Sequence, residues 1–320
     1  GDHRDLHLSL RRQRQMCIRD SIQQGKVAPE LARAHWPFGD GPLFLHQQRA
    51  LEVGRAGRSF VVTTGTGSGK TEAFLLPVFD GILRRKAEGV CGVQAIFMYP
   101  MNALANDQLE RLRRILRGTG LDISFGLYTG DSDTTTQALR EAPAETERLD
   151  RKAIRSDPPD ILLTNYKQLE FLLIRREDRG LFTRGLRYLV LDEIHSYRGA
   201  LATEIACLIR RLKAHAGLRP GELIGIGTSA TVATRQGSVE ALARFASTLF
   251  GEEVLPGDII GESYAPQPDE GESYLPPLPD ITDEELSALD PEDDEAVIAL
   301  VEELTGKTCP QEGPIADRIS

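Results

Sequence analysis

Two short stretches hold residues whose types and spacing suit phosphoryl chemistry. The first is TGTGSGKT, residues 64–71, which follows the apolar run FVVT and precedes the helical segment EAFLLPVFDGILRR. A glycine-rich loop between strand and helix is the setting that gives a phosphate loop its meaning. Gly65, Gly67 and Gly69, spaced by Thr66 and Ser68, let the backbone curl so that successive N–H groups face one phosphate. The helix that follows places its positive end there. Lys70 is then set to reach the β- and γ-phosphates of a nucleotide, and the Thr71 hydroxyl to ligate Mg²⁺. The general pattern opens on glycine where this chain has Thr64, and the plainer alternative is a tight glycine turn with a surface lysine. The second stretch is LRYLVLDEIH, whose apolar run ends on two adjacent carboxylates. Phosphoryl transfer to water needs a carboxylate to anchor the metal and a group to position or deprotonate the water. Asp192 is the candidate for the first task and Glu193 for the second, and His195 is a candidate to couple the γ-phosphate site to moving parts.

These groups need a scaffold that brings loop and acidic pair to one edge. Six apolar runs read as strands: SFVVTT (59–64), QAIFMYP (94–100), ISFGLY (123–128), DILLTN (160–165), LRYLVLD (186–192) and LIGIGTS (223–229). Several are apolar on consecutive residues, as in strands buried on both faces. Between them, Leu104, Leu109, Leu112, Ile115 and Leu116 recur at helical spacing, as do Ile205, Leu208, Ile209 and Leu212. The alternation predicts an α/β fold, a mostly parallel sheet with helices on both faces, and such sheets bind ligands at the carboxyl ends of their strands.

The formal charge of the 320 residues is −10, which at first argues against a phosphate-coated partner. Residues 251–320, however, hold 20 acidic and 2 basic residues, leaving 28 acidic and 36 basic for residues 1–250, so the tail carries −18 and the remainder +8. Nine of the 18 prolines also fall in those last 70 residues. A domain boundary near residue 250 is expected, followed by an acidic, proline-rich, partly ordered tail, 251–320, in which TDEELSALD and DDEAVIALVEELTG suit short helices. At the other end, RQRQMCIRDS looks like translated adapter sequence, so residues 1–21 are set apart as a non-native or disordered leader. The globular part is thus expected over 22–250. No run approaches the roughly 20 apolar residues of a membrane span, and no signal peptide opens the chain, so a cytoplasmic location without membrane contact is expected. Four scattered cysteines, without a CxxC pair, point to reduced thiols, with Cys91 and Cys207 expected in the core.

With GTGSGKT and DEIH on elements of one α/β domain, the chain resembles the superfamily 2 helicases of the DEAD/DEAH type, in which a small residue such as Thr64 is ordinary at the first loop position. HQQRALE resembles the adenine-reading glutamine motif, with Gln47 better placed than Gln48; YPMNALANDQ resembles motif Ia, LLTNYKQLEF motif Ib, and TSAT (228–231) motif III. The likeness covers about residues 43–250, and YTGD (128–131) with DEIHSYRG points to the branch of MrfA-like bacterial repair helicases and related phage-defence helicases.

The resemblance implies a RecA-like P-loop NTPase domain, the first motor domain of an ATP- and Mg²⁺-using helicase. It also implies that Asn102, Thr164 and Asn165 hold the backbone of a single strand, DNA being favoured, while Ser229 and Thr231 relay nucleotide state to the acidic pair. Arg111, Arg113, Arg114, Lys167, Arg175 and Arg176 would add positive charge nearby, although a basic helix face is as readily just solvated. GRAGR (54–58) imitates an arginine-finger motif but precedes the phosphate loop, and is expected to be a turn before the first strand. No QxxGRxGR follows residue 231, so residues 251–320 are expected to be an acidic linker or the truncated start of a second motor domain, and the ATPase of this chain to be weak. An RNA helicase and a nucleotide-binding scaffold without turnover stand as the other readings.

Overall fold

Residues 14–39, 41–65, 69–130, 142–229 and 236–261 are described by the structure, a computed structural model. The described chain opens on β1 (Arg14–Cys17), paired antiparallel with β2 (Pro42–Phe44), and on α1 (Ile18–Gln23). Part of the leader therefore belongs to the fold, contrary to the expectation for residues 1–21. Ile18 enters the main hydrophobic cluster, and Cys17 and Asp20 cap α1 reciprocally.

The main sheet contains β3 (Phe60–Thr63), β4 (Ala95–Tyr99), β5 (Phe125–Tyr128), β6 (Glu147–Arg148), β7 (Ile161–Asn165), β8 (Tyr188–Leu191), β9 (Ile224–Ser229) and β10 (Ile259–Gly261). Their order is β10-β3-β9-β8-β4-β7-β5-β6, and every pairing is parallel. All six sequence-predicted strands are present. Their consecutive apolar residues divide between two cores: Phe60, Val62, Phe97 and Val190 face one side, Val61, Ile96, Leu189 and Leu191 the other.

The first side is covered by α2 (Leu45–Arg55), α3 (Lys70–Ala87) and α4 (Asn102–Leu116). After α5 (Arg151–Ser156), the helices α6 (Tyr166–Ile174), α7 (Ala200–Ala216) and α8 (Gln236–Phe250) supply the second. Within GRAGR, Gly54 lies inside α2 rather than in a turn: a Cβ there would lie 2.7 Å from the Pro77 Cβ of α3, so its bare backbone lets the two helices approach. The turn follows at Gly57, where φ is +73°.

Three other expectations change. The sheet continues past residue 250, because β10 adds to the edge of β3 and Asp258, buried beside it, pairs with Arg58 at 2.8 Å. Cys91 and Cys207 are exposed: Cys207 falls between the inward-facing Ala206 and Leu208 of α7 and points outward, and Cys91 sits in the turn before β4. Arg113 is not a surface charge. It is fully buried and meets Glu147 through Nε and Nη2, both at 2.7 Å, tying α4 to the outermost strand. The tail from residue 262, with its two expected helices, lies outside the described residues. Among the described residues no helix is long and apolar enough to cross a membrane.

A buried ion pair broken on one side leaves an uncompensated charge, which costs about 3–5 kcal/mol, whereas replacing both partners by apolar groups is often neutral. Arg113→Met should therefore lower the unfolding free energy by about 3–5 kcal/mol in urea denaturation. The Arg113→Met, Glu147→Met double variant should recover most of that loss.

Candidate functional site

The carboxyl ends of β3, β8 and β9 converge where the phosphate loop and the acidic pair meet. β8 stops at Leu191, and Glu193 then takes a left-handed conformation, φ 52°, unusual for a residue with a side chain. This turn lifts both carboxylates off the sheet. Thr228 of β9 serves both residues: its hydroxyl accepts from the Glu193 N–H at 3.0 Å and donates to Asp192 Oδ1. Sequence reading assigned coupling to Ser229 and Thr231 and missed Thr228, although strand alternation puts Thr228 on the same side of the sheet as Asp192.

Glu193 lies between two cations or potential cations. Its Oε1 is 3.9 Å from Lys70 Nζ and its Oε2 is 3.1 Å from His195 Nδ1. His195 Nδ1 also lies 3.3 Å from Ser229 Oγ, and Lys70 donates to the Ser229 carbonyl at 3.4 Å. Lys70, Glu193, His195 and Ser229 thus form one contact network joining the loop, the acidic pair and motif III. Thr66, Gly67, Ser68 and Thr231 lie outside the described residues.

Gln47, almost fully buried, joins the first turn of α2 to the loop: its Oε1 accepts from Phe44 N at 2.9 Å and its Nε2 donates to the Gly69 carbonyl at 3.2 Å. Gln48 instead reaches Glu52 along the helix, so Gln47 is the glutamine at the cleft. Gly69 has φ +80°, the left-handed region that favours glycine, and a Cβ on it would stand 2.5 Å from Gln47 Nε2 and push that amide aside. Thr64 is buried at the end of β3, with Gly65 half-buried after it. Gln47, Lys70, Thr71, Asp192, Glu193 and Thr228 line one cleft of about 550 Å³, which Phe38 and Phe44 bound with apolar surface. Arg111, expected near a strand track, instead lines this cleft and pairs with buried Glu72 at 3.2 Å.

No three His, Cys, Asp or Glu side chains converge to hold a metal among the described residues. One carboxylate and one hydroxyl beside a lysine is nevertheless a donor set suited to a Mg²⁺ that keeps water and phosphate oxygens as its remaining ligands.

Farther along the same edge, the Asn165 side chain caps α6 by accepting from Gln168 N at 2.8 Å and donates to Asn102 Oδ1, at the start of α4, at 2.7 Å. These two track candidates form one half-buried polar pair. Thr164 does not join them. It faces the other side of the sheet, fully buried, and its hydroxyl donates to the Tyr128 carbonyl at 2.7 Å, so it fastens β7 to β5 and is not presented to a ligand.

Burial raises the Asp192 carboxyl above its ordinary range; the Thr228 hydrogen bond and the Lys70 charge oppose that rise, and the Glu193 charge adds to it. The folded protein thus holds this proton to higher pH than the unfolded chain does, and ionising Asp192 costs stability above the unfolded value. Asp192→Asn should be more stable than the parent in urea denaturation at pH 7. The difference should vanish as the pH falls below the ordinary aspartate value of 3.8.

Comparison with known proteins identifies the family. The family described as DEAD/DEAH box helicase matches residues 44–238. Druantia protein DruE of Escherichia coli (strain UMEA 4076-1) is 31% identical over 308 residues, covering 65% of this chain and 17% of DruE. The uncharacterized ATP-dependent helicase YprA of Bacillus subtilis (strain 168) is 34% identical over 197 residues, covering 61% of this chain and 24% of YprA. The chain therefore spans a quarter or less of the length of these two relatives. Among solved structures, the DUF1998 helicase MrfA bound to DNA and AMPPNP superposes with a TM-score of 0.57 at 27% identity, over 75% of this chain and 30% of that one. With the matched family spanning the phosphate loop, the acidic pair and the strand that carries Thr228, the chain belongs to the DEAD/DEAH box helicase family.

Proposed function

We propose that this chain is the first motor domain of an ATP-driven DNA helicase or translocase of the cytoplasm, working in repair or phage defence, and that a second motor domain completes its ATP site. The observation that carries the reading is the placement of Lys70, Asp192, Glu193 and Thr228 around one cleft, with the Asn102–Asn165 pair two strands away along the same sheet edge. DNA is preferred to RNA because MrfA, similar over three quarters of the chain, is seen bound to DNA.

In this reading the loop N–H groups and Lys70 bind the ATP phosphates, and Gln47 with Phe38 and Phe44 bounds the side of the cleft that takes the base. Thr71 and Asp192 hold Mg²⁺, whose charge neutralises the phosphate oxygens. Glu193 orients the attacking water and accepts its proton, with Lys70 and His195 fixing the two carboxylate oxygens in place. Ser229 and His195 carry the state of the γ-phosphate site toward motif III. Asn102 and Asn165 grip a single DNA strand through its sugar-phosphate backbone. Such contacts position a strand without reading its sequence. Arginines from the second domain would stabilise the transition-state charge, an effect of about 10³–10⁵ in rate in other phosphoryl-transfer enzymes.

Removing a positioned general base costs about 10²–10⁴ in rate. In the protein with both motor domains, Glu193→Gln should keep ATP affinity and lower DNA-stimulated ATP hydrolysis by that factor. Parent-like hydrolysis in the variant, or stimulation by RNA and not by DNA, would overturn the reading.

A further inference from the structure

A row of polar side chains crosses the sheet at its carboxyl edge, on the side covered by α2, α3 and α4. Leu191 pairs with Gly227 and with Met98, so the next residues, Thr228, Asp192 and Tyr99, stand side by side, and Tyr99 pairs with Asn165 on β7. The ends of this row are hydrogen-bonded: Thr228 to Asp192 at one end and Asn165 to Asn102 at the other. The middle is not. Tyr99 is 1% exposed, and its hydroxyl has no hydrogen-bond partner among the described residues.

Buried polar groups are almost always satisfied, and an unmet one costs about 1–3 kcal/mol, so an orphaned hydroxyl at this point asks for a function. At neutral pH the Tyr99 phenol keeps its proton and is a donor. On one side an ionised Asp192 is acceptor-only and Thr228 occupies one of its oxygens; on the other the Asn102–Asn165 pair carries amide N–H groups that can donate to the phenol oxygen. Pro100 ends β4 directly after Tyr99, so the backbone beyond has no ladder N–H to hold it, and the strand leads straight into Asn102 at the start of α4.

We propose that Tyr99 is a positioning residue that joins the nucleotide and strand sites: when both are filled, its hydroxyl donates to Asp192 and its oxygen accepts an amide N–H of the Asn102–Asn165 pair, which closes the row from Thr228 to Asn102. The inference rests on the function proposed above and adds to it a specific physical link. A contact made only in the doubly bound state favours each ligand in the presence of the other, and the two effects are equal by thermodynamic reciprocity.

The test uses binding and stability in the intact protein, with a non-hydrolysable ATP analogue and an oligo-dT strand as probes. In the parent, saturating oligo-dT should tighten the analogue. Tyr99→Phe should leave the affinity measured without DNA within about two-fold of the parent and shrink the tightening by about five-fold, as expected for one hydrogen bond. Because the hydroxyl has no partner in the free protein, the variant should unfold at or above the parent's temperature. A Tyr99→Phe, Asn102→Ala double variant should lose no more coupling than the single variants, since both interrupt one row.

Parent-like coupling in Tyr99→Phe would overturn the inference and leave the proposed function standing. So would a variant that is destabilised or unable to fold, because the hydroxyl would then have a partner already. An equal loss of analogue affinity with and without DNA would overturn it by confining Tyr99 to the nucleotide site. Absence of any coupling in the parent would overturn the inference together with the function it rests on.

Discussion

A parallel sheet covered by helices on both faces has no room for charge except at its strand ends, and the chemistry of this domain follows from that constraint. An ionised group in the sheet interior would lose its hydration without gaining a partner, at a cost of many kcal/mol. Accordingly every residue of β3, β4, β5, β8 and β9 is buried, and those that point into the two cores are almost all apolar. Polar groups collect at the carboxyl edge, where Lys70, Asp192, Glu193, Thr228 and Asn165 lie within a few strand widths. The fold fixes where reaction can occur before any residue identity is chosen.

At that edge burial works against the Asp192 carboxylate, and the Thr228 hydroxyl opposes it by donating to Asp192 while it also accepts the N–H of Glu193. That N–H belongs to a residue in left-handed conformation, a state that costs of order 1–3 kcal/mol for a residue with a side chain. The strained turn persists because its neighbours hold it on both sides: Asp192 N donates to the Met98 carbonyl at 3.1 Å and Ser196 N to the Glu193 carbonyl at 2.8 Å. Two adjacent carboxylates consequently diverge, one toward Thr228, the other toward Lys70 and His195. Adjacent residues acquire different work from one backbone kink.

The sheet and the nucleotide cleft were legible in the sequence because each has a local signature. Consecutive apolar residues mark a strand buried on two faces, and a glycine-rich loop or an acidic pair beside such a strand marks a ligand edge. What was not legible depends on partners distant in sequence. Thr164 belongs to a polar motif-like string, yet strand parity turns its side chain into the sheet and toward Tyr128. Arg113 sits in a basic run, but its partner Glu147 is 34 residues away and draws it inside. β10 is three residues long and follows a composition change, so only its pairing with β3 identifies it. Residues 14–23 have no apolar period, and their place comes from β2 and from burial of Ile18.

The same distinction between counted and placed charge bears on the nucleic-acid track. The 36 basic residues of 1–250 suggest a positively charged surface, but several of them are already paired within the fold. Arg113 is paired in the core, Arg111 faces Glu72 in the nucleotide cleft, Arg155 holds Asp178 and Glu177, and Lys86 lies between Asp122 and Asp160. Two cations of α6, the helix that Asn165 caps, lie over aromatic rings, Lys167 over Tyr166 at 5.9 Å and Arg175 over Phe171 at 5.5 Å. Phe171 and Ile174 on this helix are also exposed. A strand held here would meet aromatic faces and neutral amides as much as charge, and each phosphate neutralised adds about one to the salt slope. On the proposed reading, a track built this way would hold its strand with a shallower dependence on salt than the basic count implies, and would leave more of the grip to geometry than to charge.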